Sequence, residues 1–155
     1  MSMWFFANAF VFIFALWKVF SSSLGIHIIL GGFGATFILY NWTRHAVFST
    51  IRSNISRKRK IQFAKLSKKI LPFHKYTGTV ALMFIIGHAS VVLYYFGWQG
   101  TNIKMLSGLL TLIILIAMVL VGWLRFIRTT YRRRMIHLYL GYCLFFSVVI
   151  HLLCT

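Results

Sequence analysis

The chain has 155 residues, of which 60% are hydrophobic and 18% aromatic. That exceeds what a soluble domain of this length needs for its core, and several apolar runs approach the roughly 20 residues that cross a bilayer. Seventeen Lys and Arg stand against no Asp or Glu, which excludes carboxylate catalysis, a carboxylate proton relay and an Asp/Glu metal cage.

The composition predicts an all-α integral membrane protein, a single transmembrane domain of five helices. The first span, about 3–20, is a nearly continuous apolar run with Lys18 near its end, a residue able to snorkel to the interface. No basic segment precedes it and no A-x-A site follows, so it reads as an uncleaved span. The second span, about 24–42, carries the small-residue run Gly31-Gly32-Phe33-Gly34-Ala35, where a helix or a flat cofactor can approach the backbone closely. Residues 43–69 form a strongly basic connection, read either as a solvated loop or as an amphipathic helix on the membrane surface. The third span, about 70–98, has Pro72 in its first turn. The fourth, about 103–126, contains no histidine and reads as a connector. A second basic loop, 125–134, leads into the fifth span, about 135–154.

Both strongly basic loops fall on one side of a five-span chain, with only Lys18 and Lys104 near the other. Basic loops mark the cytoplasmic side, so the N-terminus is expected inside and the C-terminus outside, in a multi-pass protein of the cell membrane. The charges thus read as an orientation signal and as contacts with anionic lipid, not as a nucleic-acid surface.

Spans three and five then run in the same direction, and each carries two histidines fourteen residues apart: His74 and His88, His137 and His151. Fourteen steps make four helical turns less about 40°, so each pair lies near one face, about 21 Å apart along the axis. His74 should face His137 near the inner surface, and His88 should face His151 near the outer one. Two facing imidazoles can ligate one haem iron from both sides. Zinc would need three or four close ligands. Two levels predict two b-type haems, with His74 and His137 on the inner iron and His88 and His151 on the outer. The competing reading is histidines that merely hydrogen-bond between helices. Ionisable residues inside spans are rare and usually functional, and four in two equally spaced pairs favour ligation.

Around these positions, Gly78 and Gly141 each follow a histidine by four residues, and Gly87 directly precedes His88. They are expected to let a porphyrin lie flat. Phe84, Leu144, Phe145 and Phe146 are expected to keep the sites dry, with Phe145 and Phe146 midway between levels. Lys75 and Arg132 to Arg134 are placed to meet inner propionates. His27 reads as an interfacial polar residue that can also touch the outer haem or an acceptor, and His45 as a solvated loop residue. Cys143 and Cys154 form no CxxC or CxxCH pattern and read as ordinary small residues.

The pattern FHKYTG…GHASVV, a histidine-free span, then RRRMIHLYLGY…VVIHLL resembles the ferric reductase-like transmembrane domain. That superfamily includes NADPH oxidases, ferric-chelate reductases and the haem subunit of the bacterial methionine sulfoxide reductase system. The resemblance covers about residues 70–155. It implies a cytochrome b whose haem ligands are His74, His88, His137 and His151. The expected function is electron transport from a cytoplasmic-side donor to an external acceptor, as an oxidoreductase or the electron-transfer subunit of one. The chain has no flavin or nicotinamide fingerprint, so the donor is expected to be a separate reductase, flavoprotein or quinol. Oxidases place a further histidine four residues after the outer ligand, where this chain has Val92, which argues against superoxide production. Two other readings stay open: a haem-binding anchor for a soluble oxidoreductase, and a haem-free membrane scaffold or transport subunit.

Overall fold

The structure, a computed structural model, describes residues 2–23 and 25–154. These form six α-helices: α1 (Met3–Ser21), α2 (Ile26–Arg52), α3 (Arg57–Ile70), α4 (His74–Phe96), α5 (Ile103–Ile127) and α6 (Tyr131–Leu153). A 3₁₀ turn, Leu71–Phe73, joins α3 to α4 without a break in the helical path. Pro72 causes it: proline has no N–H for the i→i−4 ladder, and the tighter turn carries the chain past that gap. Four helical stretches are long and apolar enough to cross a membrane: Met3–Ser21, Arg57–Phe96, Ile103–Ile127 and Tyr131–Leu153. Among the described residues, α2 is not one of them.

Of the two readings of the first basic connection, loop or helix, the structure has mostly helix. α2 continues ten residues beyond Trp42, and α3 occupies most of the remainder of 43–69. The charges there disfavour a buried helix, but no proline or glycine stops one. The second loop shrinks to residues 128–130. Arg133 Nη1 donates to the Leu124 and Arg128 carbonyls (3.0 and 2.9 Å) at the α5 C-terminus, the former shared with the Arg128 N–H. Thr130 Oγ1 accepts from Arg133 N and so caps α6, as Asn102 caps α5. α4 ends at Gly97, whose φ of 66° suits glycine.

α2, α4, α5 and α6 form a four-helix bundle. α4 packs against α2 and α5, while α6 packs against α5 and touches α2. α4 and α6 therefore stand diagonally across the interior. The bundle is centred on a layer of Ile38, Ala81, Leu115 and Leu144, with Val148 beside them. α1 packs outside, on α2, through a second cluster of Val11, Leu39, Trp42 and Phe145. Trp42 and Phe145 stack at 4.7 Å, and Trp4 meets both edge-on.

Candidate functional site

The bundle is layered at seven-residue intervals. Ala81 is midway between His74 and His88, and Leu144 is midway between His137 and His151. On α5, Leu115 is midway between Gly108 and Gly122, and on α2 Ile38 follows Gly31 by seven. One apolar layer thus lies between two histidine levels, each about 10 Å away along the helices. A seven-residue repeat keeps one seam facing inward on supercoiled helices.

At each level the histidines meet across the diagonal. His74 and His137 have ring centroids 6.1 Å apart, and His88 and His151 have centroids 6.4 Å apart. A metal–imidazole bond is about 2.05 Å and the nitrogen lies about 1.15 Å from its ring centre, so two imidazoles on opposite sides of one ion have centroids about 6.4 Å apart. At a tetrahedral angle the same bonds give about 5.2 Å. The observed separations are in the range of the near-linear arrangement and longer than the zinc-like one; the His27 and His88 rings, 6.5 Å apart on neighbouring helices, reach it too. Among the described residues no group of three or more His, Cys, Asp or Glu is placed to hold a metal ion. Two nitrogens per level suit an ion whose equatorial positions are filled by something other than protein. A porphyrin iron is such an ion.

Hydrogen bonds fix which ring nitrogen is free. His74 Nδ1 donates to Asn41 Oδ1 at 2.9 Å, and His88 Nδ1 donates to the His27 carbonyl at 2.6 Å. Both acceptors lack a proton, so Nδ1 carries it in each case. Ser107 Oγ lies 2.9 Å from the Lys104 carbonyl and 3.1 Å from His151 Nδ1, and so anchors the His151 ring through Nδ1. His137 Nδ1 makes no hydrogen bond of regular geometry, although the Met118 carbonyl acts on it electrostatically. In the His74 and His88 rings Nε2 is left unprotonated, the state in which imidazole ligates a metal.

Glycines on the flanking helices make room for the rings. A Cβ at Gly31 would lie 3.0 Å from His88 Nδ1, and one at Gly108 would lie 2.9 Å from His151 Cε1. At Gly122 it would lie 3.5 Å from His137 Cε1. The glycines expected to serve a porphyrin face elsewhere: Gly141 abuts Trp42, Gly78 abuts Asn41, and Gly87 abuts Leu30. Each lies about one helical turn or less from its histidine, on the side turned to α2.

Other expected neighbours also differ. Leu144 is in the central layer as anticipated. Phe145 turns to Trp42, Phe146 is 54% exposed, and Phe84 stacks on Phe33 and Phe37. Lys75 is held over Tyr76, Trp123 and Phe126, with Phe126 only 3.6 Å away. His45 is half-buried on α2 rather than free in a loop: its ring packs against Trp4, Trp42 and Tyr142, and Nε2 meets Tyr142 Oη at 3.0 Å. His27 supplies its backbone carbonyl to His88, while its ring packs on Phe96.

The residues the sequence reading overlooked are Asn41, Ser107, Gly31, Gly108 and Gly122 in these roles. A signal for the glycines existed. In an antiparallel hairpin facing residue numbers share a sum: Gly108 with His151 and Gly122 with His137 agree, as do Gly31 with His88 and Gly34 with Ile85. Comparison with protein-family models, with curated proteins and with solved structures finds no match for the chain.

Proposed function

We propose that the chain is a five-span cytochrome b that carries electrons across the cell membrane between two b-type haems. The observation that carries this reading is the pair of diagonal histidine couples at near-linear ligation distance, at two levels about 21 Å apart. His74 and His137 would hold the inner haem, His88 and His151 the outer. Bound haem would supply reversible one-electron redox chemistry at each level.

The protein's own part is orientation and exclusion of water. Asn41, Ser107 and the His27 carbonyl hold three of the four rings by Nδ1. The central layer, with Ala81 fully buried and Leu115 2% exposed, keeps the space between levels apolar. Electrons would enter at the end that carries the basic segments, from a separate flavoprotein or a quinol, and leave at the end that carries Lys18 and Lys104. With the basic end inside, outward transfer gains about 2.3 kcal/mol per 100 mV of inside-negative potential. The resemblance to the ferric reductase-like domain supports the same direction.

A second reading, a haem-binding anchor for a soluble oxidoreductase, draws on α3. Its seven Lys and Arg lie on a helix that continues the path of α4, a surface able to dock an acidic partner or anionic lipid. In that case the purified chain binds haem but reduces no acceptor until its partner is added.

The test is a reduced-minus-oxidised visible spectrum of the purified protein with haem counted per chain. Two low-spin b haems are expected, falling to about one in His88→Ala and in His137→Ala. Protein made with ample haem and showing no Soret band overturns the reading and leaves a haem-free scaffold.

A further inference from the structure

Arg44 and Arg125 both act electrostatically on the inner histidines, and Arg44 also lies over the Phe48 ring at 5.8 Å. Arg44 follows Asn41 by three residues on α2, and Arg125 follows Gly122 by three on α5. Asn41 bonds His74, and Gly122 faces His137. Positions i and i+3 share a helix face, so both arginines continue the lining of this level about 4.5 Å further along the bundle, towards its basic end. They are close enough to repel each other, and both act electrostatically on His74 and on His137. The Nε of each is buried and has no hydrogen-bond partner among the described residues.

Two guanidiniums at one level, each with a buried and unpartnered Nε–H, favour an anion beside them. The sequence contains no Asp or Glu to supply one. Nearby, Arg133 bonds the Leu124 and Arg128 carbonyls, Lys75 is enclosed by aromatic rings, and Arg134 adds a further positive charge beside Arg125. Guanidinium is the side chain best shaped for carboxylate or phosphate.

We propose that Arg44 and Arg125 form an oxyanion clamp, and that the oxyanion is a propionate carboxylate of a haem held by His74 and His137. This rests on the haem reading above. A phospholipid phosphate at the same depth offers the same chemistry, and the experiment separates the two sources.

The test titrates haem and haem dimethyl ester into the full-length protein depleted of haem. The ester keeps the macrocycle and iron but has no carboxylate charge. The wild type should bind haem at the inner level at least about tenfold more tightly than the ester, as expected for charge-assisted hydrogen bonds. In the Arg44→Met/Arg125→Met double variant the haem affinity should fall to that of the ester, which stays unchanged. Arg44→Lys/Arg125→Lys should recover part of the preference. The outer-haem spectrum reports folding in every variant. Equal binding of haem and ester by the wild type, or equal loss of both in the double variant, overturns the clamp. Copurifying phospholipid lost only in the double variant, with haem and ester bound alike, overturns the propionate assignment in favour of a lipid phosphate. A wild type that binds neither ligand overturns the haem reading itself, and the clamp with it.

Discussion

An alanine methyl at Gly31 or Gly108 would press on a histidine ring at 3.0 or 2.9 Å, whereas at Gly122 it would meet one at 3.5 Å, an ordinary contact. Overpacking a close-packed interior costs about 1–3 kcal/mol, and here the yielding group would be the His88 or His151 imidazole. Gly31→Ala and Gly108→Ala should therefore reduce outer-haem occupancy, while Gly122→Ala should leave both haems in place. Haem counted by difference spectroscopy on the three variants checks this; a uniform effect would mean that the glycines serve helix packing in general. Asn41 invites a related experiment. It accepts from His74 Nδ1 and from Thr77 Oγ1, so Asn41→Leu removes both bonds and frees the His74 ring to turn. Loss of such a supporting partner typically weakens metal binding 10–100-fold. The expected result is selective loss of the inner haem on titration, with the outer haem retained.

At the scale of elements, α5 and α6 are joined by a short polar link. Thr111 Oγ1 and Ser147 Oγ share a buried hydrogen bond across the helix pair, 2.5 Å long, and Thr111 Oγ1 also lies 2.8 Å from the Ser107 carbonyl. Thr111→Val and Ser147→Ala each leave the other hydroxyl without this partner. Each single change should cost about 1 kcal/mol in detergent unfolding, and the double variant should cost less than their sum. Strict additivity would show that the contact contributes nothing. Pairings of this kind were only partly legible in the sequence. The two histidine levels could be read because fourteen residues nearly close four turns and because loop charge gives α4 and α6 one direction. The rest of the layering was present as a seven-residue repeat of Gly31 and Ile38 on α2 and of Gly108, Leu115 and Gly122 on α5. It is masked by the glycines within the histidine helices, Gly78 and Gly141, which have the spacing of a cofactor cradle but turn to α2. Whether α4 and α6 lie adjacent or diagonal depends on how four helices share a core, and no single helix encodes that. Arg44 and His45 looked like loop residues because hydropathy falls after Trp42. The helix continues there because Trp4, Trp42 and Tyr142 provide a wall for His45.

For the whole molecule, the five-span topology turns on α2. It is not among the helical stretches apolar enough to cross a membrane by composition, yet its 27 residues extend about 40 Å, more than a hydrocarbon core of about 30 Å. Its small and polar residues are turned to protein: Gly31 to His88, Gly34 to Ile85, Asn41 to His74. A helix packed between α1 and α4 and touching α6 needs less apolar surface than one facing lipid on most sides. If α2 crosses, the α1–α2 and α4–α5 turns share one side, and the α2–α3 and α5–α6 turns share the other. The basic segments then all lie together, where each Lys or Arg near an anionic leaflet gains about 1 kcal/mol. If α2 does not cross, the α1–α2 turn and the α2–α3 connection share one side; the basic segments before α4 and before α6 stay together in either case, because α4 and α5 both cross between them. Single cysteines decide between these arrangements, placed in a background with Cys143 and Cys154 changed to serine. A membrane-impermeant maleimide applied to intact cells should label Ser23→Cys and Gln99→Cys. It should label Asn54→Cys and Thr129→Cys only after permeabilisation. Labelling of Ser23→Cys and Asn54→Cys from the same side would remove the fifth span. The mirror pattern at all four positions would keep five spans but reverse the direction of the electron path, placing the His74–His137 level and the Arg44–Arg125 pair at the outer surface.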